Sequence, residues 1–404
     1  MHFSAILLVG CAAFCSATEE PFLDGEFVFD PEAKSHGHVH ASCIVECPNG
    51  DLLAVWYENG DPLPPPYFSD QRDKSDDVRI GGARKPSGSS AWEKPFVMAD
   101  TFGVSDNNPC MVIDADQRLW LVYATLTGVP KWTWGSALLR YSISSDYQKP
   151  GPPSWDMQDV LLPHPIRLQE VVQNAVEEAA ARLDWSQEQK AEMLAEIEKR
   201  FEQPLTERFG WMPRAHPLVR SDGAVILPLS NENFGVPAMA ITTDGGKTWT
   251  YSNPVPGISI TQPTLVELPD GLIVAHFRNS GPERRIKRSE SRDGGVTWSP
   301  PALTDLPNPG AGIEALLLRD QSLLMVYNDK EDSPRDRLAV SISEDQGRTW
   351  KWTRYLENTP GERFDYPSII QAQDGALHAT YTYNLKTIKH VRFNAAWVRQ
   401  GNPE

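Results

Sequence analysis

Six strand-like runs in this 404-residue chain open on side chains that can bind or react: His40, Asn108, Arg214, Gln262, Glu314 (or Ile313) and Tyr366. Arg278 stands in a further polar run, His276-Phe277-Arg278-Asn279. Arg214 and Arg278 are suited to grip a carboxylate, because a planar guanidinium donates in a fork that matches it. Tyr366 could act as nucleophile or base, with its proton drawn off by Glu314 or its pKa lowered by Arg278. His40 could be a general acid or base, since an unperturbed imidazole titrates near pH 6.5, and His38 shares its strand face. Asn108 and Gln262 would add neutral hydrogen bonds to a substrate. Each type also has a plain structural use: arginines in ion pairs, the tyrosine as an aromatic plug, the histidine merely hydrogen-bonded.

What brings these residues together is a repeat. Thr242-Thr243-Asp244-Gly245-Gly246-Lys247-Thr248-Trp249 recurs as Ser291-Arg292-Asp293-Gly294-Gly295-Val296-Thr297-Trp298 and as Ser343-Glu344-Asp345-Gln346-Gly347-Arg348-Thr349-Trp350. Weaker echoes end at Trp92 and Trp155. The Asp can accept turn N–H groups, the Gly supplies positive φ, and the Trp returns to pack between layers. Ahead of these boxes, runs such as Asn108-Pro109-Cys110, Gln262-Pro263-Thr264 and Tyr366-Pro367-Ser368 each lead to a turn and a second apolar run. Six such units predict an all-β fold, a six-bladed β-propeller of four-stranded sheets. The last unit lacks a box, so the segment around Phe27-Val28-Phe29 is expected to complete its blade. The first residues of the innermost strands then face the axis, and mainly polar side chains there predict a pocket. Trp56, Tyr57, Trp132 and Trp134 could form a stacking rim.

One interval breaks the pattern: Trp155 and Trp249 are 94 residues apart, against 49 and 52 for the next two. Apolar residues at helical spacing over Leu168 to Arg182 and Gln187 to Phe201 predict two helices in blade 3. Ser186 and Gln189 make a capping box. The insertion, over about 166–209, would either flank the pocket or pack on the propeller side.

Composition narrows the partners. With 38 basic and 54 acidic residues the net charge is −16, which argues against nucleic acid or an anionic membrane. No apolar run reaches the ~20 residues of a membrane span. Ala5 to Phe14 is an apolar core of signal-peptide length, followed by Cys15-Ser16-Ala17, so residues 1–17 are expected to be removed on export to the periplasm or medium. Leu8-Val9-Gly10-Cys11 also fits a lipoprotein box, ranked second. The mature chain, 18–404, would keep Cys43, Cys47 and Cys110. Cys43 and Cys47 lie ~13 Å apart on one strand, too far to bridge; a bridge from either to Cys110 stays open. No Cys/His spacing predicts a metal, and no cofactor is expected.

On the boxes, and on His38-Val39-His40-Ala41-Ser42, Asp77-Val78-Arg79-Ile80, Tyr327-Asn328 and Tyr366-Pro367-Ser368, the chain resembles the sialidase superfamily, nearest to secreted bacterial sialidase-like proteins. The resemblance implies an arginine clamp for a substrate carboxylate, a nucleophilic tyrosine supported by a glutamate, and an aspartate acid/base. It places Tyr366 as nucleophile, Arg278 as second clamp arginine, Asp76 or Asp77 as acid/base, and Arg79 beside them. His40 stands where the first clamp arginine belongs, Gln262 where the glutamate belongs, and Ser341 where the third arginine belongs. The leading expectation is an exported exo-glycosidase removing a terminal, acidic sugar from a polysaccharide or glycoconjugate. A polysaccharide lyase, with His40 and Tyr366 as base and acid on a uronate, and a non-catalytic carbohydrate-binding propeller are the alternatives.

Overall fold

The computed structural model describes residues 19–32, 37–128, 133–203, 205–257 and 259–401; the signal-like segment, the Cys11 box and Trp132 lie outside them. Six antiparallel sheets follow one another along the chain. Blade 1 comprises Val39–Glu46, Leu52–Asn59, Val78–Lys85 and Phe96–Ala99; blade 2, Ser105–Ile113, Leu119–Leu126, Ala137–Ser144 and Met157–Leu161. Blade 3 comprises Trp211–Met212 with Leu218–Val219, then Val225–Asn231, Val236–Thr242 and Thr250–Tyr251. Blade 4 is Ile260–Glu267, Ile273–Asn279, Arg285–Ser291 and Ala302–Pro307, and blade 5 is Glu314–Leu317, Leu323–Asn328, Arg337–Ser343 and Trp352–Asn358. Blade 6 takes Phe364–Gln371, Leu377–Tyr383 and Thr387–Phe393 from the end of the chain and Leu23–Phe27 from its beginning, paired Leu23 to Phe393 through Phe27 to Lys389. The ring is thus closed by the amino-terminal segment, as expected.

The second strand of each blade is buried along nearly its whole length, because a neighbouring blade covers each face. Leu119–Leu126, a near-continuous apolar run, is buried at every residue, the pattern of a strand with no solvent side.

The Asp-boxes join the third strand of a blade to its fourth, and the three are built alike. In blade 5 the Asp345 carboxylate accepts from the backbone N–H of Arg348 (3.1 Å) and Thr349 (2.8 Å) and from the Thr349 hydroxyl (2.6 Å). Asp244 and Asp293 accept from the matching groups. Gly246, at φ +89°, lies so close to the Trp120 ring of blade 2 that a Cβ would sit 2.8 Å from it. Each box therefore shapes its own turn and locks one blade to the preceding one. The boxes share a face of the disc with the turns between first and second strands, opposite to the loops between second and third strands.

The insertion forms the helices as read. α1 spans Leu168–Arg182 and α2 spans Gln187–Phe201, the second started by the Ser186/Gln189 capping box. They lie in the connection from blade 2 to blade 3, on the loop face, with Leu168, Val172 and Ile197 packed into the core.

Candidate functional site

The polar residues reach the axis through a repeated irregularity of the first strands. In blades 1, 2, 4 and 6 the ladder skips two residues: between His40 and Cys43, Asn107 and Cys110, Thr261 and Thr264, and Asp365 and Ser368. The first skipped residue is left-handed each time: Ala41 (φ 54°), Asn108 (49°), Gln262 (49°) and Tyr366 (49°). Such bulges re-aim a side chain, and strained backbone of this kind gathers at functional sites. Pro109, Pro263 and Pro367 follow directly; with no N–H, proline suits a bulge where the ladder is broken. Arg214 and Gly312 take the corresponding places in blades 3 and 5, two residues before His216 and Glu314. Gly312 is required by close approach: a Cβ would stand 2.5 Å from the Tyr366 ring and 3.3 Å from Arg214 Cδ.

This register corrects two of the six axial assignments. In blade 1 the bulge residue is Ala41, and His40 sits one place earlier, level with Asp365. In blade 5 Gly312 holds the bulge position, and Glu314 lies two residues deeper.

The Tyr366 hydroxyl accepts from Arg278 Nη1 (3.2 Å), which also donates to Gln262 Oε1 (3.1 Å). Burial alone would raise the phenol's pKa, but the charges of Arg278 and Arg335 and a hydrogen bond with Gln262 bring it below the ordinary value. His40 packs edge-on against the Tyr366 ring, centroids 4.6 Å apart, with Tyr57 and His38 completing an aromatic wall. His40 Nδ1 meets the Thr382 hydroxyl at 3.2 Å. Burial pushes its pKa down to about 3, so His40 is a neutral imidazole rather than the acid expected of it.

Several expected site residues are occupied elsewhere. Arg214 donates to the carbonyls of Pro367 (2.7 Å) and Ile313 and is buried, forming the floor rather than a free clamp. Glu314 accepts from the backbone N–H (2.7 Å) and Nδ1 (2.8 Å) of His216 below that floor and makes no contact with Tyr366. Arg79 pairs with Glu58 at 3.1 Å on the third strand of blade 1, away from the axis. Asp76 accepts from Phe68 N at 2.7 Å, and Asp77 accepts from the Gln71 and Asn59 amides; both staple their own loop. Ser341 bonds to Tyr327 and Thr353 inside its blade. Trp56 is fully buried. Asn108 holds its bulge position at the axis. Cys43, Cys47 and Cys110 are free thiols, so neither bridge forms.

Four groups in the pocket escape a sequence reading. Arg335, on the loop before Arg337–Ser343, donates to Asp365 and to the Gly310 carbonyl (2.9 Å), and its charge acts on Tyr366. Arg363 pairs with the other oxygen of Asp365. Asp73 is the acid of its loop nearest the wall: its carbonyl is tied to Ser105 (3.2 Å) and Asn107 (2.8 Å), and its charge acts on His38 and Tyr57. Glu232 has its pKa raised by burial, against the pull of Arg278 and Lys74. No periodicity marks such loop residues.

These features define an Asp-box β-propeller with a tyrosine, arginines and neutral amides gathered at the loop end of its axis. Residues 202–379 match the BNR repeat-like domain family. A 164-residue stretch is 26% identical to a sialidase of Micromonospora viridifaciens, covering 38% of this chain and 25% of that one. A 178-residue stretch is 22% identical to the anhydrosialidase of the leech Macrobdella decora, covering 39% and 23%. The chain thus spans about a quarter of the length of the curated relatives it matches. Among solved structures, a Hadza microbial sialidase superimposes with a TM-score of 0.66 at 15% identity, over 93% of this chain and 69% of that one. A protein of unknown function from Dyadobacter fermentans does so with the same score at 16% identity, over 92% and 99%. Residues 202–379 thus carry a BNR repeat-like domain, and the chain is similar in sequence to sialidases over a little more than a third of its length.

Proposed function

We propose that the protein is an exported glycoside hydrolase that removes a terminal acidic sugar, with Tyr366 as nucleophile. The observation that carries this is the half-buried Tyr366 hydroxyl, bonded to Arg278 and more acidic than an ordinary phenol. A phenol suits an anomeric carbon that bears a carboxylate, since a charged nucleophile would be repelled; tyrosine-using glycosidases of this kind exist. The sugar's carboxylate would meet Arg278 and the half-exposed Arg363. The Tyr366 oxygen would bond to the anomeric carbon as the bond to the leaving oxygen breaks, the phenol losing its proton to solvent and the leaving oxygen taking one from Asp73. Water would then displace Tyr366, giving one proton to Asp73 while the released Tyr366 oxygen recovers one from solvent. The signal-like amino terminus supports action on external glycans.

His40 and Gln262, standing where the family carries an arginine and a glutamate, favour a carbohydrate-binding module as the second reading. The lyase reading is weakened, because an imidazole titrating at about 3 is a poor base.

The test is a panel of aryl glycosides of acidic sugars, sialosides included, with uronate polysaccharides alongside. Released aglycone supports the hydrolase, ultraviolet-absorbing unsaturated uronate the lyase, and saturable binding without turnover the module.

A further inference from the structure

Glu232 is an acceptor without a donor. It opens the short loop between Val225–Asn231 and Val236–Thr242 of blade 3, and its backbone is clamped from two sides. Its N–H donates to the Gly210 carbonyl at 2.7 Å. Asn231 Nδ2 donates to the Phe209 carbonyl (3.1 Å), and Asn233 Nδ2 to the carbonyls of Gly135 (3.0 Å) and Phe209 (3.4 Å). Phe234 stacks on Phe201 at the end of α2, centroids 4.9 Å apart, under the Arg200 guanidinium at 4.7 Å. A Cβ on Gly210, at φ +84°, would stand 2.6 Å from the Asn233 amide, so this exit from the insertion admits the loop only as glycine. Phe209, Arg200 and Phe201 belong to the inserted segment and Gly210 follows it directly, so the insertion sets where Glu232 stands.

The carboxylate itself makes no hydrogen bond or ion pair among the described residues, although the charges nearest it are Arg278 and Lys74. Lys74 is drawn over the Trp134 ring at 4.8 Å, and Arg278 is already bonded to Gln262 and Tyr366. A half-buried acceptor left open in a pocket whose other charged groups are largely donors selects for a ligand that brings its own donor. Resting on the reading that a sugar binds above Tyr366, we propose that the helical insertion is a specificity element that presents Glu232 as acceptor for a hydroxyl or N–H of the bound sugar.

The experiment is a cycle between protein and substrate. The parent glycoside, its mono-deoxy analogues and its N-deacylated analogue are assayed on the full chain and on Glu232→Leu. One analogue should lose about 10–100-fold in kcat/KM on the unaltered protein, the worth of one hydrogen bond to a charged acceptor. The parent should lose as much on Glu232→Leu, and that analogue should then lose nothing more. Phe201→Ala, which loosens the loop and leaves the carboxylate in place, should reproduce part of the same selective loss with an unchanged circular dichroism spectrum. Equal losses for every analogue, or no loss for the parent, would overturn the proposal while leaving the hydrolase standing. If no glycoside is turned over, the hydrolase reading falls, and the cycle is read as Kd by calorimetry with the free sugars. Absence of the selective loss there as well overturns the specificity role.

Discussion

Two polar layers cross the propeller axis, two residues apart on the same strands, and they differ in what satisfies them. The upper layer holds Asn108, Gln262 and Tyr366, with His40, Arg278 and Glu232 around them. Its bonds run between side chains, and the half-buried Glu232 carboxylate makes no hydrogen bond to protein among the described residues. The lower layer holds Cys43, His216 and Glu314 beneath Arg214, and its partners are protein: Glu314 Oε1 takes both bonds from His216, and the buried Oε2, without a hydrogen bond, lies 3.9 Å from the Arg214 guanidinium. Both ring nitrogens of His216 are engaged, Nδ1 by Glu314 and Nε2 by the Ile44 carbonyl at 2.7 Å, with Cys43 Sγ 3.3 Å away. A charged residue at a propeller axis is therefore a candidate for chemistry only where its partners are not already protein. Glu314, the more conspicuous acid in the sequence, is a structural rivet, and the catalytic reading moves to the layer above.

Replacement in the two layers should separate function from stability. Tyr366→Phe keeps the ring that His40 packs against and removes only the hydroxyl. It should lower kcat by at least about 10³-fold, as loss of a nucleophile does, with little change in unfolding midpoint. Glu314→Gln should do the opposite. Breaking a buried ion pair strands the imidazolium of His216 and costs about 3–5 kcal/mol, read by urea unfolding, while kcat per folded molecule stays within a few-fold. A large loss of kcat without destabilisation in Glu314→Gln would return that acid to the active site.

The histidines sharpen the contrast through pH. Burial holds His40 at about 3, whereas in an unfolded chain it would titrate near 6.5. The unfolded state thus takes up a proton that the fold refuses, and stability falls as pH drops below 6.5. By pH 5 the loss is about 2 kcal/mol, at about 1.4 kcal/mol per unit. His216 runs the other way. Burial works against its charge, but Cys43 and Glu314 hold its pKa well above 6.5. Its contribution is full below 6.5 and fades as pH rises through the folded value. In a proton NMR titration His40 should stay neutral down to pH 4 while His216 stays protonated at pH 7. His40→Gln should remove about 2 kcal/mol of the stability difference between pH 8 and pH 5.

The scaffold was more legible than the site, for a physical reason. Box turns, second-strand apolar runs and helix periodicity are local, so the three Asp-boxes, α1, α2 and the Ser186 cap could be read from spacing. The bulges were half legible. Where proline follows, as at Asn108, Gln262 and Tyr366, the axial residue was placed correctly. Where Ser42 stands instead, the assignment slipped by one onto His40, and the glycine of blade 5 carried no side chain to notice. Arg335, Asp73 and Glu232 come from loops whose shape depends on contacts distant in sequence. Sequence position pointed to Asp76 and Asp77, and only the fold shows that these two face their own loop.

The smallest effect tests the boxes, which lie on the face away from both axial layers. Asp345 accepts two backbone N–H groups and the hydroxyls of Thr349 and Ser343 in a turn that is mostly open to solvent, and against a small desolvation those bonds hold its pKa down to about 2. Its role matches that of a helix-capping side chain, so Asp345→Ala should destabilise by about 1 kcal/mol and leave kcat/KM unchanged. Gly347, at φ +81°, brings the turn against Leu323 and His276, so a Cβ there would meet Leu323 Cδ2 at 2.9 Å. Gly347→Ala should therefore cost more than Asp345→Ala, although it removes no hydrogen bond. Equal losses in urea unfolding would mean that the box serves only its own hairpin. The larger loss at Gly347 would show that the box turn is held by its close approach to Leu323 of its own blade and His276 of blade 4, and not by the Asp345 bonds alone.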